Sequence, residues 1–262
     1  MSTLIGVDIG GTFTDVVVVD RGRVTTAKVS STPDDPARGM IQGIGEALAA
    51  AGIAPGSVSS LAHGSTVATN ALLERRGART GLVTTRGFAD VLELARQARP
   101  NLYRPCCDRP RPLPELTAEV DERLSPDGVL RRLDPESVAA AGRRLRRAGV
   151  EAVAVCLLHS YADPRHERRV AAALRGELPD AFVVASHEIA AEYREYERAS
   201  TVSVDAYLGP PAARYLRRLG EGLAERGLPE PLLMQSSGGR GARDEAAPPP
   251  PPRGFCGPPG GG

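Results

Sequence analysis

Tryptophan is absent from this 262-residue chain, and aromatic residues of all kinds make up only 4% of it. That scarcity excludes an aromatic stacking platform for single-stranded nucleic acid. Lysine is almost missing too. Lys28 is the only one, and the other basic residues are arginines, a bias that reads as genomic base composition. Charge of either sign is not in excess: 33 basic residues face 32 acidic ones, for a net charge of +1. A nucleic-acid binder needs a basic excess or stripe, so that partner class is excluded. No run approaches the roughly 20 apolar residues that cross a bilayer, which argues against a membrane partner. The first residues enter a strand pattern directly, without a basic region or cleavage site, so no signal peptide is expected. The four cysteines (Cys106, Cys107, Cys156, Cys256) form no CxxC pair, and neighbours in sequence suit disulfide geometry poorly. A reducing cytoplasm is the expected setting. His63, His159, His166 and His187 are too scattered to imply structural zinc.

What is present is ordinary for a globular chain, with 41% hydrophobic and 25% charged residues, enough for one large domain or two small ones. Strand patterns cover 4–9, 15–20 and 24–30. Pro36 opens a helix to about Ala51, with Met40, Ile41, Ile44 and Leu48 at helical spacing and Gly52 as its stop. Short strands at 60–63 and 80–84 alternate with helices at 67–76 and 88–95. Six prolines between 99 and 134 predict an irregular excursion, with short strands around 116–124. Alternation then resumes: helix 135–148, an apolar strand 151–158, helix 164–178, strand 182–186, helices 189–207 and 210–226, and strand 231–235. This order predicts an α/β fold. From Gly238 onward glycine and proline dominate, and that composition builds no packed element.

The segment Gly6-Val7-Asp8-Ile9-Gly10-Gly11-Thr12-Phe13-Thr14-Asp15 carries the strongest chemistry. A tight Gly-Gly-Thr turn between two strands directs successive N–H groups into one concavity suited to phosphate oxygens. Gly10 and Gly11 allow close backbone approach and are expected at positive φ. Thr12 and Thr14 add hydroxyls, and Asp8 can hold Mg²⁺ directly or through water. The plainer alternative is a structural hairpin. Further along, His63-Gly64-Ser65-Thr66 forms a hydroxyl-rich entry to a helix, where Ser65 or Thr66 can cap the first turn and His63 can close the strand end. Asn70, one turn on, faces the same way as Thr66. Two charge runs, Glu192 to Arg198 and Arg143 to Arg147, read as solvated helix faces. The Cys106-Cys107 pair has nothing nearby to lower a thiol pKa.

These blocks together resemble a family. The first turn is similar to the phosphate loop of the actin, heat-shock chaperone and sugar kinase superfamily. Its Phe-Thr-Asp ending resembles the ATP-dependent hydantoinase and 5-oxoprolinase group, specifically the ATP-binding hydantoinase A subunit. His63 to Glu74, Val83 to Glu93, Asn101 to Tyr103, Ala154 to Tyr161, Glu195 to Thr201 and Met234 to Gly239 match that group in order. Ser65 replaces a threonine of its pattern. Cys256 to Gly262 resembles the group's second phosphate segment, with Cys256 for serine and Pro259 for alanine, where proline removes a donor.

The resemblance implies a ribonuclease-H-like ATPase half with an inserted α/β region and no second half. It places an N-terminal domain at 4–185 and the start of a catalytic domain at 186–262. It implies ATP-dependent opening of a cyclic amide or imide, 5-oxoproline or a hydantoin. Asp8 would hold Mg²⁺, and Asp8 and Thr12 would stand at the reacting phosphate. Gly10, Gly11, Thr12, Thr14, Gly257 and Gly260 would cradle ATP. His63, Ser65, Thr66, Asn70, Glu195 and Arg198 would lie near a substrate cleft, and a hydantoinase B-type subunit or a second copy would be the partner. Ketone carboxylases share the same half, a sugar kinase-like protein is a rival, and a non-catalytic fragment is another.

Overall fold

A computed structural model describes residues 2–32, 34–97, 103, 111–234 and 240–241. In chain order the elements are β1 (Thr3–Ile9), β2 (Phe13–Asp20), β3 (Arg23–Ser30), α1 (Pro36–Ala51), β4 (Val58–Ser65), α2 (Val67–Leu73), β5 (Thr80–Thr85) and α3 (Val91–Leu94). They continue with β6 (Leu116–Val120), β7 (Arg123–Ser125), β8 (Gly128–Arg131), α4 (Pro135–Arg147), β9 (Ala152–Cys156), α5 (Arg165–Glu177) and β10 (Phe182–Ala185). α6 (Ser186–Ile189), α7 (Glu195–Ala224), β11 (Pro231–Met234) and β12 (Arg240–Gly241) complete the series. Two compact units result: Met1–Arg76 with the chain from Pro211 onward, and Gly77–Pro210.

The first unit is built on a sheet of order β12-β11-β4-β1-β2-β3. β1 runs antiparallel to β2 and parallel to β4, and β11 runs parallel to β4. Alternation decides which face is covered: Ile5, Val7 and Ile9 of β1 and Val16 and Val18 of β2 point into the core. There they meet Met40, Ile41, Ile44 and Leu48 of α1, spaced at one helix face, and Tyr215, Leu219 and Leu223 of α7. Asp35 caps α1 by accepting from the Arg38 N–H at 3.4 Å, Pro36 pre-sets its first φ, and Gly52 ends it at φ +68°. The opposite face of the sheet leaves Leu4, Phe13, Val17 and Val24 exposed.

The second unit carries a parallel sheet of order β10-β9-β5-β6. Every residue of β5 and β9 is buried, because helices cover both faces. On one face lie Val138, Ala141 and Leu145 of α4 with Val170 and Leu174 of α5. On the other lie Ala199, Val202 and Ala206 of α7.

Several expectations change. The two helices read at 189–207 and 210–226 are one: α7 passes through Gly209-Pro210-Pro211 without a break. Pro211 cannot donate to the Tyr207 carbonyl one turn back, and the Ala78 N–H takes that acceptor at 2.8 Å. The helix expected at 88–95 shrinks to Val91–Leu94, bounded by Gly87 at φ +89° and Ala95 at φ +49°. α2 stops at Leu73 rather than Arg76, as Arg75 turns to φ +54°. Pro126, read as a breaker, begins the turn of the β7–β8 hairpin, closed by Gly128 at φ +140°.

Candidate functional site

The Gly-Gly-Thr turn joins β1 to β2 at the end of β1. It is held from within: the Gly10 N–H donates to the Phe13 carbonyl at 3.0 Å, and Ser31 donates its N–H to Thr12 O at 2.9 Å and its hydroxyl to Gly10 O at 2.8 Å. Among the described residues no acceptor takes the N–H groups of Gly11 and Thr12, which leaves two adjacent donors at an exposed tip. Neither Gly10 nor Gly11 has positive φ, contrary to expectation. Their smallness matters through space instead: a Cβ on Gly10 would lie 3.1 Å from Phe13 O, and one on Gly11 would lie 3.5 Å from the Asn70 side-chain nitrogen. Asp8 is exposed at the strand end, its Oδ1 3.4 Å from where a Cβ on Gly64 would stand. Thr12 is exposed as well. Thr14 is not: its hydroxyl is buried and shared with Ser31 Oγ at 3.1 Å, so it braces the turn rather than facing a ligand.

β4 and α2 supply the neighbouring wall. Ser65 Oγ accepts from the Val67 N–H at 3.1 Å and so caps α2, while the Thr66 hydroxyl donates to Ile9 O at 3.0 Å and ties this corner to β1. Asn70 donates to Thr66 Oγ1 at 3.4 Å, which holds its amide beside Gly11. His63 lies elsewhere than a cleft. Its ring is buried in the core, with Nε2 and the Tyr215 hydroxyl 2.6 Å apart. Burial lowers its pKa to about 4, partly opposed by the Val7 backbone, so it is neutral. Burial likewise pushes the Tyr215 hydroxyl up. The expectation of a substrate-facing His63 therefore gives way to a core pair.

Behind the turn lies a cavity of about 410 Å³, lined by Gly10 and Gly11, the β3–α1 connection, α2, and Arg214, Tyr215 and Arg218 of α7. The sequence reading did not name it, because α7 comes from the far end of the chain. Its arginines and carboxylates pair unequally. Arg76 holds Glu74 at 3.2 Å, and Arg218 lies 3.9 Å from Asp35.

Glu195 and Arg198 belong to the second unit. Glu195 is exposed at the start of α7. Arg198 is buried, and its donors are engaged by Ser186 Oγ at 3.0 Å, Glu192 O at 3.0 Å and Leu157 O at 2.5 Å. That arrangement serves the interior rather than a cleft. Ser186 in turn donates to the buried Glu167 at 2.7 Å, which also receives the Leu157 N–H at 3.0 Å and the His187 N–H at 2.8 Å. A second buried carboxylate, Glu122, meets His166 Nδ1 at 2.7 Å and the Thr85 hydroxyl. Buried polar groups satisfied by one another in this way rigidify the interior they sit in. Their spacing in sequence gave no signal. Burial of Cys156 pushes its thiol up to about 11, against Arg198, so it is an inert core thiol. Gly257 and Gly260 lie outside the described residues, as do Cys106, Cys107 and Cys256.

The fold and the turn define a class: a mixed α/β protein with parallel strands, in which an Asp-x-Gly-Gly-Thr turn ends the first strand and leaves donors free. Within that class the chain belongs to the hydantoinase/oxoprolinase family, whose N-terminal region it matches over residues 4–178. It is 35% identical to the caprolactamase alpha subunit of Pseudomonas jessenii over 90% of this chain and 35% of that protein. It is 31% identical to the 5-oxoprolinase of Saccharomyces cerevisiae over 90% of this chain and 22% of that one. Among solved structures, nucleotide-free acetone carboxylase superposes with a TM-score of 0.82 at 27% identity, over 92% of this chain and 37% of that chain. The ATP-dependent caprolactamase of P. jessenii gives 0.80 at 34%, over 90% and 36%. The chain thus spans about a third or less of the length of these relatives.

Proposed function

We propose that this chain is the nucleotide-binding part of an ATP-dependent enzyme that opens a cyclic amide. The observation that carries the proposal is the turn itself: free N–H groups on Gly11 and Thr12, with exposed Asp8 and Thr12 beside them. Free donors and a carboxylate at one strand end suit a magnesium-bound polyphosphate. Asp8 is the residue that would hold Mg²⁺, which neutralises phosphate charge. Gly10 and Gly11 keep the backbone clear for close approach, and Thr12 adds a hydroxyl. Thr66 and Asn70 fix the wall against which the turn sits. Bound there, ATP would supply the phosphoryl group that activates the ring carbonyl toward water, with ADP and then phosphate as the leaving groups. Positioning and electrostatics carry most of such chemistry.

Support comes from the ATP-dependent caprolactamase and the 5-oxoprolinases among the relatives. The order β3-β2-β1-β4-β11, with β2 antiparallel, supports the ribonuclease-H-like assignment. A hydantoinase B-type partner fits the relatives named as subunits. A ketone carboxylase role is the second reading, favoured by the acetone carboxylase superposition and by 35% identity to an acetophenone carboxylase gamma subunit of Aromatoleum aromaticum.

The test is titration with Mg-ATP and Mg-ADP by calorimetry. Wild-type protein is expected to bind in the roughly millimolar range or tighter, about 4 kcal/mol. Gly11→Val places its Cβ in open contact with Asn70, so the fold is retained while the approach to the turn is blocked. Equal affinity in a folded Gly11→Val protein would make the turn purely structural.

A further inference from the structure

The cavity beside the turn is lined by one cation for which no described residue supplies a counter-charge. Of its three arginines, Arg76 is matched by Glu74 and Arg218 faces Asp35, which is itself engaged as the cap of α1. Arg214 has no ion-pair or hydrogen-bond partner among the described residues, and it lines the same cavity as Gly10 and Gly11. A guanidinium in that position costs nothing to maintain in water, yet offers a two-pronged donor to any oxyanion that enters. Asp34 lines the same cavity, exposed and without an ion-pair partner among the described residues, an acceptor suited to an N–H. A cavity of about 410 Å³ lies in the range of small-molecule sites.

We propose that this cavity receives the small substrate and that Arg214 reads a carboxylate on it, so that the chain favours lactams bearing a carboxylate over neutral lactams. This rests on the cyclic-amide reading above and narrows its substrate class. Neutral lactams and ketones offer the guanidinium a single uncharged carbonyl oxygen, without the charge and the paired oxygens of a carboxylate. A ring with one carboxylate and one N–H matches Arg214 and Asp34 together. Arg214 is here a specificity residue, which touches the substrate away from the bond that breaks.

The experiment measures binding to the 262-residue chain by ligand-observed NMR, with 5-oxoproline, 2-pyrrolidinone (the same ring without the carboxylate) and inorganic phosphate as probes. The 5-oxoproline probe is expected to bind at least about tenfold more tightly than 2-pyrrolidinone, as a charged hydrogen bond requires. Arg214→Gln should remove that advantage and leave 2-pyrrolidinone unchanged, while Arg214→Lys should retain part of it. The side chain is exposed on a helix, so these variants fold. Equal binding of the two lactams, no binding of 5-oxoproline, or an unchanged preference in Arg214→Gln overturns the proposal. Phosphate bound as tightly as 5-oxoproline and lost in Arg214→Gln also overturns it, by assigning the cation to phosphate. A parallel Mg-ATP titration separates the layers: intact, Gly11-dependent ATP binding with no lactam preference sinks only this inference, whereas loss of both sinks the reading beneath it.

Discussion

Buried beside Tyr215 and the Val7 backbone, the imidazole of His63 cannot carry a proton without losing hydration that the core does not replace. Its pKa in the folded protein, about 4, lies below the ordinary 6.5. Between those values the unfolded chain binds the extra proton and the native one does not. Stability from this residue is therefore complete above pH 6.5 and falls as pH drops toward 4, by up to a few kcal/mol. Denaturant midpoints at pH 5 and 7.5 should differ clearly in wild type and much less in His63→Asn. The capping of α2 by Ser65 and the alignment of Asn70 with Thr66 were legible because those contacts are local, whereas the bond from Thr66 to Ile9 O, 57 positions away, was not. The sequence could not show that His63 turns inward, because its partner is 152 positions away. The same distance in sequence hid the role of Arg214, which looks like any charged residue on an amphipathic helix.

α7 shows how an element survives two prolines. Local rules end a helix near Gly209-Pro210-Pro211, and the reading of two helices followed them. Tertiary pairing overrides the rule, since Ala78 satisfies the carbonyl that Pro211 leaves open. The close approach has a steric condition as well. A Cβ on Gly77 would fall 2.1 Å from the Tyr207 ring, so Gly77→Ala should destabilise by about 1–3 kcal/mol, measured by urea unfolding. Asp205, on the same helix, is buried with one oxygen unpartnered. Burial, and then the charge of Glu188, raise its pKa from 3.8 to about 7. Here the native state holds the extra proton, so stability is full below pH 4, declines as pH rises toward 7, and stays low above it. Asp205→Asn should flatten that decline, with its largest gain near pH 8, and a thermal-melt series across pH would reveal it.

At the scale of the whole chain, alternating strand and helix patterns revealed the α/β class, and β1, β2, α1, α4 and β9 lay close to where periodicity placed them. What periodicity does not contain is pairing. The union of β11 with β4, and the enclosure of residues 77–210 between two segments of another unit, depend on contacts far apart in sequence. Because residues 77–210 hold both cores of their own sheet, that fragment is expected to fold alone and unfold cooperatively, as followed by circular dichroism in urea. A featureless, non-cooperative profile would refute that independence. The Ala78–Tyr207 bond gives this arrangement a meaning in time. As the chain emerges from synthesis, its first 76 residues lack the Tyr215, Leu219, Leu223 and β11 that complete their core. Tying off a floppy loop of about 130 residues would cost roughly 4 kcal/mol in chain entropy. Once the inserted segment has folded, its two ends are already fastened within a hydrogen bond of each other. The late-arriving strand then needs to search only a short tether, and the enclosed unit becomes the clasp that lets the enclosing one close.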